Sequence, residues 1–128
     1  MRLTFFLLAA LTISPCVAMA GSLIPAGAEQ VISSVHAAAA KRDLPALRAL
    51  MTDEFTWSFG GDSTAEQAIA AWHSEPSAIA ALRNITGKSC GRISEQFIQC
   101  PQHAGISYRA GFTETPSGWR MVYFVAGD

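Results

Sequence analysis

The stretch AAAAKRDLPALRALMTDEFTWSF, residues 37 to 59, decides the fold because the hydrophobic period changes within it. Its beginning continues a helix predicted over residues 28 to 42, where apolar side chains recur on one face at helical spacing. From residue 55 to residue 59, aromatic and hydroxyl side chains alternate strictly. That alternation predicts a strand in which Trp57 shares one face with the flanking phenylalanines.

Helices are also predicted on either side of this strand. Asp43 is a suitable N-cap for a short helix that carries Pro45 in its first turn. After the strand, residues 63 to 66 read Ser-Thr-Ala-Glu, the pattern of a capping box with Ser63 as the N-cap. The helix that follows is expected to bury Trp72.

A fourth helix is predicted over residues 75 to 85. Ser74 precedes it as a candidate cap, and Pro76 separates it from the helix before. Gly87 lies just past its end, where a left-handed residue often terminates a helix.

The C-terminal part of the chain predicts strands over residues 106 to 112 and 119 to 125, joined by a turn at residues 115 to 118. The expected cross-strand pairs form one apolar face: Phe112 with Met121, Ala110 with Tyr123, and Tyr108 with Val125. Val122 and Phe124 are expected on the opposite face, so the last strand should be central in the sheet or covered by a partner. A run of helices followed by a run of strands predicts an α+β fold, with the N-terminal helices packed on one face of a C-terminal antiparallel sheet.

The N-terminus has the pattern of a secretory signal peptide over residues 1 to 20. Arg2 precedes an apolar run, and Ala18-Met19-Ala20 fits the rule for cleavage after Ala20. A flexible segment over residues 21 to 27 and a single domain over residues 28 to 128 are expected to follow. The pattern predicts a periplasmic or secreted protein.

The composition of the predicted mature chain narrows the classes of partner. It retains eight basic and ten acidic side chains with no basic run, which argues against a nucleic-acid partner. No later segment is apolar and long enough to predict a membrane span.

Signal-peptide removal would leave two cysteines, Cys90 and Cys100. A disulfide is favoured over a zinc site or a reactive thiol, because an exported chain meets an oxidising environment and the spacing typical of zinc ligands is missing. Ten extended residues would span roughly 33 Å, whereas bonded cysteines need Cα atoms within about 7 Å. The chain is therefore expected to reverse near Glu95. The resulting hairpin would place Ile93 opposite Phe97, and Arg92 opposite Ile98.

Three stretches resemble the nuclear-transport-factor-two-like superfamily, which contains SnoaL-like and ketosteroid-isomerase-like proteins. AAAAKRDLPALRALMTDEFTWSF resembles the family's first two helices and first strand, STAEQAIAAW its third helix, and GWRMVYFVAGD its closing strand. The resemblance implies a cone-shaped, cystatin-like fold with a cavity between the sheet and the helices, and it implies no particular reaction. Residues 76 to 103 depart from the family pattern.

Candidate ligand-binding residues follow from that expected cavity. Aromatic side chains at Trp57, Trp72, Tyr108 and Tyr123, together with His73, could line it and hold a small apolar ligand. Packing in the core is the other interpretation of the aromatic residues. We expect no cofactor and no metal.

The favoured function is a non-catalytic binding or accessory domain. It would bind a small apolar ligand in the cavity, or a protein partner on the sheet face, and its last strand leaves room for a homodimer through the sheet. One alternative is an isomerase- or hydrolase-type enzyme, which requires His73, His103 or Asp53 to point into the cavity. The other is an inhibitor or immunity protein that acts through residues 87 to 104.

Overall fold

The computed structural model of the protein describes residues 24–61 and 63–127, so the expected signal peptide and residues 21–23 lie outside the described residues. The described residues form four helices and five strands. In chain order these are α1 (Ala26–Lys41), α2 (Leu44–Ala49), β1 (Met51–Thr56), α3 (Ala65–Ser74), α4 (Pro76–Thr86), β2 (Gly91–Arg92), β3 (Ile98–Cys100), β4 (Arg109–Thr115) and β5 (Gly118–Val125).

The first two helices follow the predicted pattern closely. α1 begins at Ala26, two residues earlier than expected, and ends at Lys41. Its C-cap residue, Arg42, adopts a left-handed conformation with φ of 54°. The Asp43 carboxylate caps α2 by accepting a hydrogen bond of 3.1 Å from the backbone N–H of Ala46. Residues 26 and 27, the last two of the predicted flexible segment, are helical.

The caps of α3 and α4 differ from the sequence predictions. Thr64, one residue after the expected Ser63, is the N-cap of α3, and its hydroxyl accepts from the Gln67 N–H at 3.2 Å. The Ser63 carbonyl instead accepts from the Phe55 N–H, which ties this segment to β1. Glu75 occupies the N-cap position of α4. Gly87 has φ of −87°, so its predicted left-handed conformation is wrong.

The fold is α+β, as predicted, and the helices pack against one five-stranded sheet in the order β1-β5-β4-β3-β2. The sheet is mixed rather than purely antiparallel, because β1 pairs with β5 in parallel while the other pairs are antiparallel. β5 lies between β1 and β4, so the prediction that the last strand is central is confirmed.

The first strand is shifted relative to its prediction. β1 covers Met51–Thr56, and its pairing begins where the Met121 N–H donates to the Leu50 carbonyl at 2.8 Å. Phe55 is buried in the core, but Phe59 lies beyond the strand and is 56% exposed. The expectation that the aromatic residues of this stretch share one buried face is therefore wrong.

The β4–β5 hairpin contains one extra residue that changes its register. Phe112 pairs with Met121 as predicted, but the next pairs are Gly111 with Tyr123 and Ala110 with Phe124. Val122 is thus an extra residue in β5, a β-bulge, and it turns Phe124 rather than Tyr123 toward the helices. The predicted pairs Ala110–Tyr123 and Tyr108–Val125 are wrong for this reason, and Arg109 takes the place opposite Val125.

The disulfide and its hairpin are confirmed. Cys90 and Cys100 are bonded, with their Cα atoms 4.3 Å apart. Arg92 pairs with Ile98, and the Ile93 N–H donates to the Phe97 carbonyl at 3.0 Å. The Ser94 hydroxyl closes the turn by accepting from the Gln96 and Phe97 N–H groups.

Candidate binding surface on the open face of the sheet

Trp72 is a core residue rather than part of a cavity wall. It is 4% exposed and lies between Phe55 and Phe124, with 5.6 Å between ring centroids on each side. Both contacts are edge-to-face, an arrangement that aromatic pairs favour. These three rings occupy the space between α3 and the sheet, where the resemblance implied a cavity.

The two tyrosines of the candidate site lie on opposite faces of the sheet, because the bulge at Val122 changes the direction in which Tyr123 points. Tyr108 stacks on Phe124 at a centroid distance of 5.2 Å and an interplanar angle of 22°. Tyr123 points to the opposite face of the sheet, which the helices leave open. Trp72 and Tyr108 therefore both contact Phe124, whereas Tyr123 lies on the other face of the sheet.

Trp57 and His73 lie in two further places. His73 is exposed near the end of α3, in a depression of about 440 Å³ between α2 and α3 that Leu44 and Ile69 also line. Trp57 is half-buried, and its buried indole Nε1 has no hydrogen-bond partner among residues 24–61 and 63–127. The five predicted ligand-binding residues are thus not brought together.

The open face of the sheet carries a groove of about 590 Å³, which we call the open-face groove. It runs between β1 with the adjoining residues 63 and 64 on one side, and strands β4 and β5 with the end of the β2–β3 hairpin on the other. The residues that line it are Glu54, Phe55, Thr56, Ser63, Thr64, Phe97, Thr113, Val122 and Tyr123.

The position of Tyr123 in this groove depends on Gly111 of the neighbouring strand. A Cβ atom at Gly111 would lie 2.0 Å from the Tyr123 Cε1 atom and 2.2 Å from its Cζ atom. The ring thus occupies the volume that a side chain on β4 would need. Because one side of the ring meets the Gly111 backbone, its other side faces away from the sheet.

The Tyr123 hydroxyl is fixed by a buried amide on β3. It donates to Gln99 Oε1 at 2.5 Å, while Gln99 Nε2 donates to the carbonyls of Pro101 and Gln102. Burial raises the pKa of the Tyr123 phenol above its ordinary value, and the positive charge of Arg109 partly offsets that rise. The phenol is therefore a neutral hydrogen-bond donor at physiological pH.

Phe97 and Gln99 are site residues that the sequence reasoning missed. The hairpin register places Ile98 and Cys100 toward the core, so by strand alternation Phe97 and Gln99 face the open side. Phe97 approaches Tyr123 with 6.4 Å between ring centroids. The alternation within this hairpin is the sequence signal that could have identified both.

Arg109 extends the aromatic surface beyond Tyr123. Its guanidinium carbon lies 5.7 Å from the centre of the exposed Phe59 ring. Its two terminal nitrogens donate to the carbonyls of Ser107 and Gly127, which hold the side chain in place. Aromatic and arginine side chains therefore follow one another along the open face from Phe97 to Phe59.

A cluster of charges lies on the helix side, beside the depression near His73. Arg48 bonds to Asp53 at 2.6 Å and to Glu66 at 2.7 Å. The hydrogen bond from Arg48 lowers the pKa of the Glu66 carboxyl below its ordinary value. This cluster links α2, β1 and α3 and is open to water.

The residues that the enzyme alternative requires do not reach the core. His73 and His103 are exposed, and the side chain of Asp53 is 93% exposed while bonded to Arg48. Among residues 24–61 and 63–127, no three histidine, cysteine, aspartate or glutamate side chains are grouped so that they could hold a metal ion. The enzyme alternative required one of these three side chains to point into a central cavity, and none of them does.

Comparison of the chain with protein-family models, with curated proteins and with solved structures finds no match. The resemblance to the nuclear-transport-factor-two-like superfamily therefore stays a prediction. In the described part of the chain, no helix has the length and apolar character needed to cross a membrane.

Proposed function

We propose that this chain is an exported, non-catalytic binding domain whose protein partner docks on the open face of the sheet. The observation that carries the proposal is the series of aromatic and arginine side chains on that face. Phe97 contacts Tyr123, whose ring covers Gly111. Arg109 lies two residues from Gly111 on the same face of β4, and its guanidinium lies over Phe59. Tyrosine, phenylalanine and arginine are enriched at protein interfaces, and tyrosine and arginine are frequent among the residues that dominate binding energy.

Export is supported by two features of the chain. The N-terminal residues have the pattern of a signal peptide, and Cys90 and Cys100 form a disulfide. Disulfides form and persist mainly in oxidising compartments such as the periplasm or the extracellular space.

A protein partner fits this molecule better than a small apolar ligand between sheet and helices. Trp72 contacts both Phe55 and Phe124 in that space, and a ligand there would have to displace these rings. A second copy of the chain is also a poor match for the open face. A twofold contact would set two concave grooves opposite each other and leave a void without packing contacts.

The proposal can be tested by capturing proteins from the exported fraction of the source organism on the immobilised mature chain. Thr56→Trp would fill the open-face groove with a bulky side chain, and Phe97→Ala would remove one of its rings. Ala70→Trp is the matched control, because Ala70 is exposed and lines the depression on the helix side.

We expect a stoichiometric protein that the unmodified chain and Ala70→Trp retain, and that Thr56→Trp and Phe97→Ala lose. Light scattering on the purified chain measures self-association in parallel. Capture that is equal for all four proteins, or a homodimer that Thr56→Trp disrupts in place of any captured protein, would contradict the proposal.

A further inference from the structure

We infer that the open-face groove receives a cationic side chain, a lysine or an arginine, of the docking protein. This inference rests on the proposed function and adds the chemistry by which the groove would recognise its partner.

The floor of the groove presents aromatic π-faces. Since the Tyr123 ring lies across Gly111, its free face is directed away from the sheet. Phe97 stands beside it with an interplanar angle of 51° and a centroid distance of 6.4 Å. The face of an aromatic ring carries the negative part of its quadrupole and attracts a cation within about 6 Å of its centroid.

The wall of the groove carries a carboxylate. Thr56 pairs with Tyr123 in the β1–β5 register, and Glu54 lies two residues before Thr56 on the same strand. Both residues line the groove, next to the strand that carries Tyr123. Among the described residues that line the groove, which do not include residue 62, Glu54 is the charged one.

Hydroxyl groups complete the acceptor set. Thr56, Ser63, Thr64 and Thr113 line the groove, and a hydroxyl oxygen can accept from the N–H groups of a lysine or an arginine. The proton of Thr113 already goes to the Gln96 carbonyl at 2.9 Å. Its oxygen is thereby left to act as an acceptor toward the groove.

Arg109 does not line the groove, because its guanidinium is anchored elsewhere on the open face. Arg109 donates to the Ser107 and Gly127 carbonyls and lies over Phe59, beyond Tyr123. An anionic group in the groove would meet the Glu54 carboxylate and the negative ring faces, both repulsive. An apolar side chain would bury Glu54 and the hydroxyls without partners, which is unfavourable.

The inference is tested on the intact mature protein with small probes followed by amide NMR. The cationic probe is Nα-acetyl-lysine N-methylamide, and the neutral probe of similar length is Nα-acetyl-norleucine N-methylamide. The signals to follow are the amides of Thr56, Thr113 and Val122. Glu54→Gln removes the carboxylate, and Glu114→Gln is the control, because Glu114 is exposed but does not line the groove.

We expect the lysine probe to bind about threefold to fivefold more tightly than the norleucine probe, the range of an exposed cation–π contact aided by one carboxylate. Glu54→Gln should weaken the lysine probe by about twofold, the share of one exposed carboxylate, whereas Glu114→Gln should not. Equal binding of the two probes, or a lysine preference that is undiminished in Glu54→Gln, overturns the inference. Partner capture that depends on Phe97 but not on Glu54 would leave the proposed function standing while this inference fails.

Discussion

The Tyr123 ring lies across Gly111 on the adjacent strand and occupies the place of the side chain that Gly111 lacks. This relationship, together with the bulge at Val122, turns an aromatic face toward the open side of the sheet. The groove therefore depends on a backbone irregularity in β5 and on a glycine in β4. Each can be tested separately.

Gly111→Ala should destabilise the protein by about 1–3 kcal/mol, because the new Cβ atom would overlap the Tyr123 ring and force it to move. Urea unfolding measures the loss. Gly60→Ala is the control, since a Cβ atom there meets nothing within 4 Å, and its effect should stay within about 0.5 kcal/mol. An unchanged unfolding midpoint for Gly111→Ala would show that the ring does not lie where we place it.

Tyr123→Phe should cost about 1 kcal/mol near neutral pH, because Gln99 Oε1 loses its donor. The raised pKa of the Tyr123 phenol also adds a pH dependence. The unfolded chain loses this proton near pH 10, before the folded protein does. The stabilisation from Tyr123 is therefore complete below about pH 10 and is lost as the pH rises through the folded pKa.

This pH dependence is measured as the difference in unfolding free energy between the unmodified protein and Tyr123→Phe. Tyr108→Phe leaves Tyr123 as the one tyrosine of the chain, so phenolate absorbance then reports its titration directly. A difference that stays constant from pH 8 to pH 11 would argue against a buried phenol.

Reduction of the Cys90–Cys100 disulfide should lower stability by about 2.5–3 kcal/mol, the chain-entropy value for so short a loop. Thermal unfolding with and without reductant measures the change. The double variant Cys90→Ala with Cys100→Ala should melt lower than the oxidised protein and show no response to reductant. A melt of the unmodified chain that ignores reductant would mean that the bond does not form in solution.

Trp72→Ala should cost about 3–5 kcal/mol, because it removes a buried ring that lies between Phe55 and Phe124. Partner capture at a temperature where the variant is folded should not change, since the proposed surface lies on the other face of the sheet. His73→Ala, at the next and exposed position, should change stability by at most about 0.5 kcal/mol. If Trp72→Ala kept its stability but lost a co-purifying ligand, that result would instead favour a central cavity.

Arg48→Gln should raise the pKa of the Glu66 carboxyl toward its ordinary value, because the hydrogen bond from Arg48 is what lowers it. The carboxyl carbon signal of Glu66 in an NMR titration gives the pKa. Because the folded pKa is lowered, this interaction stabilises the fold at neutral pH and is lost as the pH falls through that value. A Glu66 titration that is identical in the two proteins would rule out the ion pair in solution.

The features predicted correctly from the sequence are those fixed by a covalent bond or by residues a few positions apart in the chain. The disulfide distance, once assumed, required a reversal between Cys90 and Cys100, and that reversal set the pairing of Arg92 with Ile98. The Asp43 cap was predictable because the carboxylate and the N–H group that it accepts from are three residues apart. Both are local features that need no knowledge of the rest of the chain.

The register of β5, and therefore which of its side chains face the core, could not be predicted from the sequence. Residues 121 to 125 are all apolar or aromatic, so alternation does not indicate which side chain faces the core. The bulge at Val122 then reverses the orientation of every residue after it. The predicted site failed here, because it assigned Tyr123 to the helix side and overlooked Phe97.

By itself, the sequence determined the α+β class, the helical periodicity, the central position of the last strand and the disulfide-bonded hairpin, because each follows from residues close in the chain or from a covalent bond. Only the tertiary structure decided that Trp72 fills the centre and that Tyr123 opens onto the other face of the sheet. That outcome depends on how Gly111 and Tyr123, twelve positions apart, fit together across two strands. The groove between β1 and β5 is a property of that fit.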